Sequence, residues 1–497
     1  MSADKTVHLV SLGCPKNRVD SEVMLGHLAQ KGYAAVPNPE DADVIVVNTC
    51  GFIDAAKEES VNTILDMGDY KAKGRAKKLI VAGCLSQRYA PELAEEIPEV
   101  DHFLGTGNFD EIGQFVSGKT RQRSALPIVG QASVSGEGHR REHGNHAVHP
   151  RLVGRNKLVP YRHGLKDGGS KDIYIPDPDF SLTSTSPRLS TTPRFTTYMK
   201  ISEGCSNTCS FCIIPKLRGP QRSRSIEDIL QEFDENLDAG TVEFNLIAQD
   251  LCAYGKDRPE RASLAQLLRA LENRARRAER DVWIRCLYAY PRGLTKEVME
   301  VMANAEHIIH YLDMPLQHIN DSMLRRMKRG KGGESTKDIL RKLRKRVPNI
   351  TVRTTFITGM PGETEDDFNE LYDFCQEFRF ERMGVFTYSR EKDTPAAEMT
   401  NQVPTEIAEE RRDRLMQLQA GISEEQQEAH LGQEIEVLVE GVSDETDLLL
   451  QGRHKGQAPD IDGLTYITEG TASPGEVVRI EVQQAGEYDL AGPIVSA

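Results

Sequence analysis

The chain reads as an α/β protein in three folded parts: a parallel-sheet domain, a central run of βα units forming a full or partial barrel, and a small antiparallel β-barrel. Three observations predict this. Short apolar runs alternate with helical stretches through residues 1–118 and again through 195–425, the pattern of parallel βαβ units. The end of the chain, 426–497, carries short strands separated by glycine-rich turns instead. The length of 497 residues exceeds what one ordinary core holds.

In the first part, strands are expected at 7–13, 43–49 and 77–83, with helices following at 17–30, 53–67 and 89–96. Residues 119–194 change character. They are rich in Gly, Pro, Ser, Thr and His, hold twelve Lys and Arg against six Asp and Glu between 121 and 194, and for the most part read as a linker or disordered insertion. Their histidines, His139, His143, His146, His149 and His163, suit a solvated segment better than a metal site. The central part then offers strands at 196–202, 242–248, 282–288, 307–314, 350–358 and 383–389, with helices such as 226–237 and 263–276 between them. A long charged helix follows at 405–429, and strands at 434–442 and 475–485 belong to the last part.

Hydrophobic residues make up 38% and charged residues 28%, ordinary for a soluble globular protein. No run of about 18 apolar residues marks a membrane span, and no signal peptide is read at the start, so the expected location is cytoplasmic. The net charge of −14 makes nucleic acid a poor default partner. Nine cysteines, an odd number without a secretory signal, argue against a disulfide framework and turn attention to metal or cluster ligation.

Cys205, Cys209 and Cys212 form a C-x-x-x-C-x-x-C loop just after an expected strand. Three thiolates can hold three irons of a [4Fe-4S] cluster and leave the fourth iron open as a coordination site. Structural zinc needs four ligands, and no second pair follows at a usual spacing. Cys14, Cys50 and Cys84 are scattered in the sequence, yet each falls one or two residues past the end of an expected parallel strand. Those ends share one sheet edge, where ligands bind, and the helices that follow favour a thiolate. For any one of the three, a buried structural cysteine is the plainer reading; three equivalent placements point to a second cluster. Cys252, Cys286 and Cys375 lack such placement; Cys286, within a strand, and Cys375, in a helix, read as core residues.

The central cysteine motif at the start of a βα series resembles the radical S-adenosylmethionine (SAM) superfamily. That resemblance implies SAM on the open iron and a 5′-deoxyadenosyl radical that abstracts hydrogen from an unactivated carbon. The segment 354–364 resembles the superfamily's SAM-contacting strand and turn, which nominates Gly359, Pro361 and Gly362; Gln249 and Asp250, at the end of the second strand, are nominated by the same analogy as SAM or substrate contacts. A tight strand-to-helix turn capped by Thr364 explains the glycines equally well. No catalytic general base is named by the sequence.

Two open clusters in one chain resemble the methylthiotransferases, built from an amino-terminal cluster domain, a radical SAM domain and a carboxy-terminal TRAM domain. Segments 11–26, 288–295, 311–318, 385–399 and 458–467 resemble the RimO-like branch, while 119–194 is longer than that branch leads one to expect. The resemblance implies methylthiolation of an aspartate β-carbon in the twelfth small-subunit ribosomal protein. It implies two [4Fe-4S] clusters, SAM, and an electron donor such as flavodoxin or ferredoxin. Residues 426–497 hold fourteen Asp and Glu against three Lys and Arg. Such a surface repels RNA phosphates and suits a basic ribosomal protein. Two alternatives stay open: a MiaB-like enzyme acting on transfer RNA, and a non-catalytic carrier of electrons or sulfur.

Overall fold

A computed structural model describes residues 5–117, 162–164, 170–330 and 332–495. The chain divides into two compact units, one of residues 1–180 and 187–189, the other of 181–186 and 190–497.

The first unit is a seven-stranded sheet. Its strands are β1 (Lys5–Ser11), β2 (Tyr33–Ala35), β3 (Val44–Thr49), β4 (Lys78–Gly83), β5 (His102–Leu104), β6 (Arg162–Gly164) and β7 (Ser170–Tyr174), in the order β2-β1-β3-β4-β5-β7-β6. All neighbours run parallel except β6 and β7. The helices are α1 (Pro15–Ala29), α2 (Asp54–Lys73), α3 (Cys84–Glu96) and the short α4 (Ile112–Ser117). Strand β3 is buried along its whole length, as a strand covered on both faces must be. Within 119–194, expected to be mostly linker or disordered insertion, two strands are described. Strands β6 and β7 extend this sheet, β7 pairing with β5, while 118–161 and 165–169 lie outside the described residues. Four of the five histidines noted there therefore lie outside the description as well.

In the second unit, β8 (Thr196–Lys200) leads into a small hairpin of β9 (Ser202–Glu203) and β10 (Arg222–Ser223), with α5 (Ile214–Arg218) between them. There follow α6 (Ile226–Asp238), β11 (Glu243–Ile247), α7 (Leu264–Ala275), β12 (Trp283–Cys286), α8 (Lys296–Asn304) and β13 (Ile308–Asp313). After these come α9 (Asp321–Arg326), α10 (Gly333–Arg346), β14 (Thr351–Thr358), α11 (Glu365–Phe378), β15 (Arg382–Thr387) and the long α12 (Thr405–Glu428). The six main strands pair in sequence order, β8-β11-β12-β13-β14-β15, all parallel. Strands β8 and β15 are the two edges, so the barrel is partial. One apolar core between strands and helices includes Cys252, Cys286 and Cys375.

The chain ends in β16 (Glu434–Val442), β17 (Leu450–His454), β18 (Thr465–Ile467), β19 (Val477–Glu481), β20 (Gln484–Ala485) and β21 (Leu490–Gly492). Their sheet is antiparallel except for β18 with β21, a departure from the purely antiparallel expectation. It curls shut where Glu481 donates to the Pro493 carbonyl and Val495 to that of Arg479. Closure removes exposed strand edges. This small barrel seals the lower end of the partial barrel. Arg453 on β17 donates to both carboxylate oxygens of Glu243 on β11, at 3.0 and 2.7 Å. Tyr198 and Tyr311 donate to Asp460 and Asp462 at 3.0 and 2.7 Å. Arg285 reaches the Lys455 carbonyl at 2.9 Å.

Candidate cluster sites

Strand register brings the three amino-terminal cysteines to one edge. Ser11 on β1 lies beside Asn48 on β3, and Thr49 on β3 beside Gly83 on β4. Cys14 follows β1, Cys50 follows β3, and Cys84 follows β4, so all three leave the carboxyl ends of adjacent parallel strands. The loops touch. Gly13 has φ +85°, and a Cβ there would stand 2.8 Å from Cys50 Cβ and 3.1 Å from its Sγ. A Cβ on Gly51 would lie 2.8 Å from Leu85 backbone atoms and 3.0 Å from the Cys84 carbonyl carbon. Only residues without side chains let these turns close together.

Polar ties hold the turns in place. Asn17 Nδ2 donates to the carbonyls of Leu12 at 2.8 Å and Thr49 at 3.1 Å. Asn48 Nδ2 donates to the Asn17 carbonyl and Ser21 Oγ, both at 2.8 Å. Ser60 Oγ accepts from Cys50 N–H and donates to its carbonyl, both at 3.0 Å. Cys14 stands at the cap of α1 without a side-chain capping bond, and Cys84 is the first residue of α3. Helix amino-termini favour thiolate there. Cys14 is exposed, Cys50 half-buried and Cys84 buried. Sequence reasoning missed Asn17, Asn48 and Ser60; their polar side chains beside apolar strand ends were the available signal.

The second trio lies on the loop from β9 to α5. Cys205 N–H donates to the Gly219 carbonyl at 3.0 Å and Cys212 N–H to that of Cys209 at 3.2 Å, folding the loop on itself. Ser210 anchors it: its N–H reaches the Met327 carbonyl at 2.9 Å and its Oγ the Arg326 carbonyl at 2.7 Å. Two side chains donate to the thiols. Asn207 Nδ2 reaches Cys205 Sγ at 3.4 Å and Asp250 Oδ2 at 2.7 Å. Arg329 Nη1 reaches Cys209 Sγ at 3.5 Å, with its guanidinium 4.3 Å from the centre of the Tyr290 ring. Neither donor was singled out from sequence; Arg329 lies 120 residues from Cys209.

Burial pushes the Cys212 thiol up to about 12, with further upward pressure from Cys209 and Cys205. Burial likewise raises Cys205. Thiols that resist ionisation alone are what a cationic iron centre converts to thiolates on binding. Among the described residues no three His, Cys, Asp or Glu side chains gather tightly enough to share one metal ion. A four-iron cube asks for a different spacing, because each thiolate takes its own iron. Both donor sets are all-thiol, the soft ligand that such clusters use, and fit a cluster in that respect.

The nominated SAM residues fall in two groups. Gln249 and Asp250 follow β11 beside the cysteine loop. Asp250 receives Asn207 and caps Ala253 N–H at 3.2 Å; burial raises its carboxyl against the pull of Asn207. Gln249 Nε2 donates to Glu203 at 2.6 Å, and its buried Oε1 meets no donor among the described residues. That orphaned acceptor fits a ligand's N–H or O–H. Burial works against ionisation of Glu203, but Lys200 and Arg218 outweigh it and hold the carboxyl down at about 2. Gly359, Pro361 and Gly362 follow β14. Gly359 (φ +78°) faces Ala408 of α12, which an added Cβ would approach to 2.3 Å, and Gly362 (φ +82°) faces the Arg326 guanidinium. Backbone shape and packing already require both glycines. Thr364 caps α11, accepting from Asp367 N–H.

Residues 6–105 match the uncharacterized protein family UPF0004, 199–375 the radical SAM superfamily and 431–495 the TRAM domain. Among curated relatives, the ribosomal protein uS12 methylthiotransferase RimO of Anaeromyxobacter sp. (strain K) is 48% identical over 99% of this chain and 93% of its own length. RimO of Myxococcus xanthus is 47% identical over 99% and 92%, and that of Geobacter sulfurreducens 43% identical over 100% of both. Among solved structures, the radical SAM methyltransferase TsrM from Kitasatospora setae superposes with a TM-score of 0.53 at 14% identity, covering 79% of this chain and 77% of that one. The cobalamin-dependent enzyme OxsB gives 0.50 at 14%, covering 84% and 56%. These two likenesses concern the fold.

Proposed function

This chain belongs to the RimO family of ribosomal protein uS12 methylthiotransferases, and from that premise we propose that it places a methylthio group on the β-carbon of an aspartate in uS12, using two [4Fe-4S] clusters. The convergence of Cys14, Cys50 and Cys84 on one sheet edge, in a chain that also carries a radical SAM domain, is the observation that supports the reading most.

In this proposal Cys205, Cys209 and Cys212 hold the first cluster and the amino-terminal trio holds the second. Bound there, cluster and SAM supply a radical able to take hydrogen from a carbon that no side-chain base can deprotonate. The chain's residues position and insulate. Asn207 and Arg329 fix two thiolates by donating to their sulfurs. Gln249 offers its free carbonyl oxygen to SAM, and Asp250 holds Asn207 in place. Gly359, Pro361 and Gly362 shape the turn at the end of β14 that would help hold SAM. The acidic carboxy-terminal domain draws a basic protein rather than RNA. A low-potential donor such as flavodoxin or ferredoxin supplies electrons, and the reaction takes place in the cytoplasm, where ribosomes are. No described helix is long and apolar enough to cross a membrane.

Anaerobic reconstitution tests the ligand assignment. About eight irons per chain are expected from two four-iron clusters, and about four when either trio is changed to alanine. Incubation with ribosomes, SAM, a sulfide source and a reductant then yields uS12 heavier by one methylthio group on aspartate. Four irons in the unaltered chain, or modified transfer RNA beside unchanged uS12, overturns the proposal.

A further inference from the structure

Away from both cysteine trios, three nitrogen-bearing side chains meet where the lower rim of the partial barrel, the end of the long helix and the small carboxy-terminal barrel come together. Arg382 opens β15, His430 lies two residues past α12, and His454 ends β17. The helix is fastened beside β15 by Gln426, which donates to the Arg379 carbonyl at 3.2 Å, and by Gln419, which donates to that of Phe380 at 3.0 Å. This brings His430 to the Arg382 end of the strand. The two imidazoles stand 5.6 Å apart between ring centres.

None of the three has its hydrogen bonds satisfied on the inner side. Arg382 is 9% exposed, yet its guanidinium makes no hydrogen bond or ion pair with any described residue, and its Nε is buried. His454 Nδ1 accepts from Gly456 N–H at 3.1 Å, which puts the proton of the neutral ring on Nε2; that Nε2 is buried and meets no acceptor. Among the described residues His430 Nδ1, also buried, has no partner. Burial and the charge of Arg382 depress His430, and burial first, then the positive charge of Arg382, holds His454 well below the usual imidazole value. Three carboxylates nearby are engaged elsewhere: Glu381 with Arg344, Glu425 with Arg379, Glu436 with Lys455; Glu434, which lines a cleft with His454, has no ion pair among the described residues. A surface cleft lined by Glu434, Glu436, His454, Lys455 and Arg479 reaches His454.

A buried donor left without a partner is costly, and orphaned donors in a native structure call for one. Two fixed donors, a ring nitrogen able to become a third, and an unpaired positive charge together ask for a small, many-oxygened anion. We propose that Arg382, His430 and His454 form a binding site for a tetrahedral oxyanion of phosphate or sulfate size, which locks the carboxy-terminal barrel to the lower rim of the central one. The site is independent of iron and SAM.

The test uses the full chain, purified anaerobically, in chloride buffer of fixed ionic strength. Inorganic phosphate is titrated against thermal midpoint, and the phosphorus NMR linewidth is followed in parallel. The midpoint rises saturably with phosphate and with sulfate but not with added chloride, and the phosphate line broadens. Arg382→Met weakens binding at least tenfold. It does not lower the midpoint in phosphate-free buffer, because it removes a charge that has no partner there. His454→Gln, which keeps a donor, retains part of the response. Equal phosphate responses in the parent and Arg382→Met, or no broadening in the parent, mean that water fills the place and the proposal fails. A midpoint that falls in phosphate-free Arg382→Met, with the phosphate response intact, assigns Arg382 to packing alone and overturns it equally.

Discussion

Replacing Glu243 by glutamine tests how the carboxy-terminal barrel is held. Glu243 Oε1 accepts from Arg285 Nη2 at 2.9 Å and Arg453 Nη1 at 3.0 Å, and Oε2 accepts from Arg453 Nη2 at 2.7 Å and Thr196 Oγ1 at 2.9 Å. Glu243 and Arg285 are fully buried and Arg453 is 1% exposed, so water screens little of this. The glutamine keeps the shape but leaves Arg285 without its carboxylate and Arg453 with only Glu440. Breaking a buried pair costs about 3–5 kcal/mol, and the retained amide oxygen puts this change near the lower end. About 3 kcal/mol is roughly a hundredfold in the equilibrium for opening the seam. Limited proteolysis of the anaerobic protein reads that opening directly, with iron content as the control for an intact cluster loop.

Acid reports on the same group. Burial opposes ionisation of Glu243, but Arg453 and Arg285 outweigh it and hold the carboxyl far below the usual carboxylate range. A depressed carboxylate contributes stability that is complete above its unfolded pKa, about 4.3, and is lost as pH falls through the folded value. The parent chain therefore loses seam stability below about pH 4, and Glu243→Gln shows a flatter acid limb. Unchanged proteolysis of Glu243→Gln at pH 7, or strictly additive effects of Glu243→Gln and Arg453→Met, refutes the reasoning, since partners in one network are not additive.

Gly13→Ala, at a positive φ and 2.8 Å from Cys50 Cβ, lowers reconstituted iron from about eight to about four per chain while the SAM-responsive cluster signal persists. Arg329→Gln withdraws a charged donor from Cys209 and makes the cluster harder to reduce; a tenfold lower reduced fraction at fixed poise corresponds to about 59 mV for one electron, read by potentiometric electron paramagnetic resonance. Gly359→Ala pushes on Ala408 and costs about 1–3 kcal/mol in urea denaturation. If Ala408→Gly restores stability but not SAM affinity, the turn touches the cofactor as well as the helix.

The strands and both cysteine trios were legible because they depend on local order: an apolar run, then a turn, then a helix, with the cysteine at the turn. The trio at 14, 50 and 84 needed only the rule that parallel strands present their ends on one edge. Strand β7 was not legible. Its five residues, Ser170–Tyr174, carry little periodicity, and they become a strand because β5 offers a free edge some seventy residues earlier. The parallel pairing of β18 with β21 escaped for a related reason, since short strands do not encode direction. Arg453 and Glu243 stand 210 positions apart, and an arginine in an acidic tail carries no mark that its partner is a buried glutamate in another domain. The turn that holds the glycines at 359 and 362 was legible, and α12 was read as a long charged helix, but nothing in the sequence marked its Ala408 as the neighbour of Gly359.

The stoppered base of the central barrel has a consequence for traffic. With Asp460 and Asp462 fastened to Tyr198 and Tyr311 from below, the barrel is a cup rather than a tube. A reactant bound for the second cysteine trio would therefore come over the brim or past the β8 and β15 edges, not through the base. Deleting the carboxy-terminal barrel would knock the floor out, admit water to Glu243 and Arg285, and give reactive species a second way to escape.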